Sequence, residues 1–90
     1  MSSIQYDDLR RTAVGFLITD LNTAMTFVAI ALNADRNPET KSRNMANARR
    51  AHDTVSRLRN NLRCTAEENE VLDEKLHSLK TALLALGESF

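Results

Sequence analysis

Ala13–Leu32 reads AVGFLITDLNTAMTFVAIAL, and the way this stretch is covered decides the fold. Set out at about 100° per residue, Gly15, Thr19, Asn22, Thr26 and Asn33 fall on one narrow polar strip, and nearly everything else is apolar. Val14, Ile18, Leu21, Met25, Val28 and Leu32 form one stripe with Leu17, Ala24 and Ala31 at its shoulder, while Phe16, Phe27 and Ile30 lie on the far side. A surface helix shows a narrower apolar face. This helix therefore needs cover from at least two directions, by the rest of the chain or by a second copy of it.

About twenty apolar residues also suffice to cross a bilayer. Asp20 and Asn22 oppose that reading, because a charge at mid-span is costly. Asp7 and Asp8 are unlike the cationic start of a signal peptide. The expectation is a cytoplasmic protein with no membrane partner.

Around this helix the composition is that of a helical bundle. Ala, Glu, Lys, Leu and Arg make up 41 of the 90 residues, close to the half that marks bundles and coiled coils. With two Gly, one Pro and 4% aromatic residues, there is little material for strands and turns. Cys64 is the only cysteine, which excludes an intrachain disulfide and a cysteine-based zinc site. Net charge is zero but unevenly placed: residues 38–64 carry +5, residues 65–90 carry −4 and residues 1–37 carry −1. A basic segment followed by an acidic one is neutralised by packing the two side by side.

In chain order, Met1–Tyr6 reads as a frayed start, with Ser3 or Asp7 capping a first helix over about residues 7–34. The segment ADRNPET ends it: Pro38 suits the first turn of a helix and Asn37 is a good N-cap. A second helix over about residues 38–63 has the thinner stripe Met45, Ala48, His52, Val55, Leu58 and Leu62. The short loop folds it back antiparallel, bringing Leu17 to Val55, Ala24 to Ala48, and Asp20 to His52. TAEE at Thr65–Glu68 is a capping box. It opens a third helix over about residues 66–86, with leucines at 72, 76, 79, 83 and 86 and Gly87 as its stop. The fold class is all-α, an antiparallel up-down-up three-helix bundle within one domain. Phe16, Phe27 and Ile30 are left over by this packing, so the bundle is expected to be completed by homodimerisation through them.

Three groups of residues bear on chemistry. Asp20 and His52 form a buried polar pair if both are interior, since a buried carboxylate needs a partner. A metal or catalytic role would need further ligands at the same level, and the sequence offers none. Arg43, Arg50 and Arg57 recur every seven residues and, with Arg49, form a basic face on the second helix. Such a row binds phosphates, but Glu39 and Asp53, each four residues ahead of an arginine, suit intrahelical pairing. No aromatic residue is interleaved for stacking on bases. Nucleic acid is therefore a minor alternative to a salt-bridged surface.

The third group is His77, Ser78, Leu79, Lys80, Leu86 and Gly87. In this stretch the chain resembles the histidine-phosphotransfer domains of two-component signalling, over 11 of its residues. The resemblance implies that His77 accepts a phosphoryl group and that Lys80 steadies it. Thr81 stands where that family usually has glycine, and such domains carry further bundle helices. No phosphate-binding glycine loop and no nucleophile beside a base at a known spacing is present in the sequence. The leading expectation is a non-catalytic protein-protein interaction or assembly module, a homodimer with a possible protein partner and no cofactor or metal, with phosphotransfer through His77 as the alternative.

Overall fold

The computed structural model describes residues 3–90 and contains three α-helices with no strand among the described residues: α1 (Ser3–Leu32), α2 (Pro38–Leu58) and α3 (Ala66–Ala85). The bundle is a rod of 54 × 17 × 16 Å. Helix α1 is helical from Ser3, so Ser3 and Asp7, the two expected caps, both stand inside it. Met1 and Ser2 lie outside the described residues. Asp7 instead accepts a hydrogen bond from Arg10, one turn on, at 2.8 Å.

The punctuation between helices is built from local chemistry. Asn37 Oδ1 accepts from the Thr40 amide at 3.1 Å, and Pro38 occupies the first turn, where its missing N–H removes no bond. Helix α2 stops at Leu58, short of the expected residue 63, because the chain tightens into a 3₁₀ turn at Arg59–Asn61 and Arg63 takes a left-handed φ of 49°. Thr65 and Glu68 then form the complete capping box, with bonds of 2.8 and 3.1 Å. At the far end of α3, Gly87 (φ 103°) lets its own amide reach the Leu84 carbonyl and that of Glu88 reach Leu83, both at 3.0 Å. These two bonds satisfy carbonyls that a helix end otherwise strands.

Leu17, Leu21, Ala24 and Val28 of α1 meet Ala48 and Val55 of α2 and Leu72, Leu76, Leu79 and Leu83 of α3 in one core. The fully enclosed leucines 72, 79 and 83 each contribute about 2 kcal/mol by leaving water. Ala24, Ala31 and Ala48 are also fully enclosed, and their small side chains let the α1 and α2 backbones approach closely. Asn44 is a buried polar residue on α2 that the apolar stripe does not predict; its Nδ2 donates to the Thr40 carbonyl at 2.8 Å, so nothing is stranded.

Candidate interaction surfaces

Helix α1 turns its polar strip to solvent, and apart from Asn22, which accepts from Lys75 of α3, the polar side chains of the strip bond back onto the helix. Thr12, Thr19 and Thr26 each donate to the carbonyl four residues back, at 3.0, 3.0 and 3.4 Å, and Asn33 donates to Ala29 at 3.0 Å. Large apolar side chains flank it: Phe16 is 67% exposed, Leu9 58% and Ile30 42%, with Met25 and Leu32 exposed as well. Of the three expected interface residues, Phe16 and Ile30 are thus open to solvent, but Phe27 is half-buried and packs against the core. By length and composition the Gln5–Leu32 segment is apolar enough to cross a membrane, and only 28% of its apolar window is buried within the bundle.

A groove of about 380 Å³ separates α1 from α2, with Asp20, Thr23 and Phe27 on one wall and Asn47, Arg50, Ala51 and Thr54 on the other. This corrects the expected Asp20–His52 pair. Asp20 is exposed, and the antiparallel order of the walls sets it across from Thr54 rather than His52. Two residues along a helix turn it by about 200°, which carries His52 away from α1. His52 Nδ1 instead lies 3.0 Å from Asp53 Oδ1, and its ring meets Phe90 edge-on at 4.9 Å.

Phe90 belongs to a cluster that the helical periodicity does not reveal. After Gly87 the chain folds back over α2, where the Arg49 guanidinium sits 3.8 Å from the centre of the Phe90 ring. Arg49 also donates to Asp53 at 3.0 Å, to Glu88 at 3.1 Å and to the Ser89 carbonyl. Desolvation pushes the Asp53 carboxyl up, but hydrogen bonds and charge from His52 and Arg49 outweigh it and hold it below its ordinary value. Arg49 is therefore engaged within the chain, and Asp53 pairs with Arg49 rather than with Arg57. Arg43, Arg50 and Arg57 remain exposed, and among the described residues none of them forms an ion pair. A wider groove of about 790 Å³ runs along this face between Lys41, Met45, Arg50, Arg57 and Glu88.

A second set of polar contacts locks the helices to one another. Arg10 on α1 donates to Glu68 at 2.9 Å, Lys75 on α3 to Asn22 at 2.9 Å, and Arg59 to Asn69 at 2.7 Å and to Asp73. On α3, His77 is exposed; Lys80 is exposed too and lies 5.1 Å from the centre of the Phe90 ring. Cys64 is half-buried, its thiol directed at the Arg59 carbonyl. No group of three His, Cys, Asp or Glu side chains gathers as a metal site among the described residues.

Compared with known proteins, the chain matches no family model, no curated protein and no solved structure. What it can do chemically rests on these surfaces alone.

Proposed function

We propose that this chain is a cytoplasmic interaction or assembly module without catalytic activity of its own, and that it acts as a homodimer through the apolar side of α1. The supporting observation is the exposure of Phe16, with Leu9 and Ile30 along the same flank of a helix that elsewhere supplies the core. Large apolar side chains lined up in this way mark an interaction surface. The exposed carboxylates of Glu67, Glu70 and Glu74 on α3 give the paired bundle an acidic face for docking.

Light scattering at several concentrations tests this. The native chain is expected to have twice the monomer mass, and Phe16→Glu to have the monomer mass with unchanged helix content. Phe16 is the informative position because it touches solvent, whereas changing Phe27 would also disturb the core. A native chain that stays monomeric at every concentration would overturn the proposal.

A further inference from the structure

The groove between α1 and α2 has the form that a two-fold interface requires. In such an interface the same patch serves both copies, so residue i meets j of the partner while j meets i. Asp20 and Arg50 stand on opposite walls of this groove, both exposed, and among the described residues neither has an ion-pair partner. The walls run antiparallel, Asp20, Thr23 and Phe27 against Thr54, Ala51 and Asn47. Asp20 and Arg50 are therefore level to within about one helical turn, or about 6 Å.

Resting on the self-association proposed above, the geometry points to a second copy of the chain packed over this groove about a two-fold axis parallel to the bundle's length. Helix α1 of each copy then lies on α2 of the other, with Asp20 beside the partner's Arg50. The alternative two-fold, perpendicular to the helices and in the plane of the contact, sets α2 antiparallel against α2 and can bring Arg50 to its own copy and Arg43 to the partner's Arg57. Like charges brought together in this way are strongly unfavourable. The parallel axis exchanges the walls and removes the conflict.

The same register covers two of the exposed apolar side chains of α1, Phe16 and Ile30. Phe16 is level with Arg57 and Ile30 with Arg43 to within a residue, so the partner's Arg57 covers the Phe16 ring with its guanidinium. The stem of the partner's Arg43 covers Ile30. The arginines recur every seven residues, as do Phe16, Thr23 and Ile30, so both rows advance by about 10.5 Å per step. Helices α1 and α2 of the two copies become four helices with every neighbour antiparallel, a stable arrangement for bundles.

The experiment is a charge exchange between copies, read by native mass spectrometry with one variant isotopically labelled. Asp20→Arg alone and Arg50→Asp alone are each expected to weaken the dimer about tenfold or more, because each opposes like charges twice. Mixed in equal amounts, the two variants are expected to form a heterodimer, in which both contacts again join opposite charges. Circular dichroism checks helix content, and if either reversal loses it, Asp20→Asn and Arg50→Gln test the same contact through a weakened dimer. A native dimer dissociated by Phe16→Glu but indifferent to both reversals, or reversals that stay monomeric when mixed, would overturn this arrangement and leave the self-association standing. A native monomer would overturn both.

Discussion

Gly87 holds a φ of 103°, where a Cβ is strained whatever space surrounds it, and a Cβ built there meets no atom within 4 Å. The cost of replacing it is therefore a backbone cost. Gly87→Ala is expected to lower stability by about 1–2 kcal/mol, read as a drop of several degrees in the thermal midpoint. Gly15 is the control. Its backbone is helical and an added Cβ also meets nothing, so Gly15→Ala is expected to raise stability by about 1 kcal/mol through helix propensity alone. Opposite signs from one substitution type would show that conformation, rather than packing, distinguishes the two sites.

At the scale of the element, the start of α3 is tied to α1 through Glu68. Its carboxylate accepts from the Thr65 amide at 2.8 Å and from Arg10 at 2.9 Å. The Thr65 backbone bond is the main cause that lowers its pKa, with Arg10 adding to it against partial desolvation. A carboxylate lowered on folding contributes stability that is full above its unfolded value and is lost as pH falls through its folded one. Urea midpoints are accordingly expected to fall between neutral and acid pH, and Glu68→Gln to flatten part of that fall; an unchanged slope would remove Glu68 from the account. This cap was legible in the sequence, as were Asn37, Pro38 and Gly87, because each acts within about four residues of itself. The leucines of α3 were legible because one periodicity fixes one face. The position of His52 was not. Helix α2 has two neighbours, and matching it to α1 alone placed a histidine against Asp20 that in fact turns toward Asp53 and Phe90. The cluster around Arg49 escaped for a related reason: residues 88–90 follow the helix and carry no period.

At the scale of the molecule, the rod is 54 Å long and about 17 Å across, and most of the apolar window of α1 lies outside the core. A dimer formed along α1 and α2 keeps that length and widens the section, whereas pairing through the ends nearly doubles the length. Small-angle scattering is expected to show a longest dimension close to that of one bundle, and a much longer particle would exclude pairing along the sides. The sequence revealed the surplus of apolar side chains on α1, but which of them the bundle covers depended on the directions of both other helices. The threonine hydroxyls of α1 have a further consequence. Turned back onto their own helix, they leave methyl groups on a strip that a reading of the letters scores as polar. Whatever lies against these threonines, whether protein, lipid or water, meets methyl groups rather than free hydroxyl donors, so this part of the helix can be covered and uncovered repeatedly with those three hydrogen bonds unchanged.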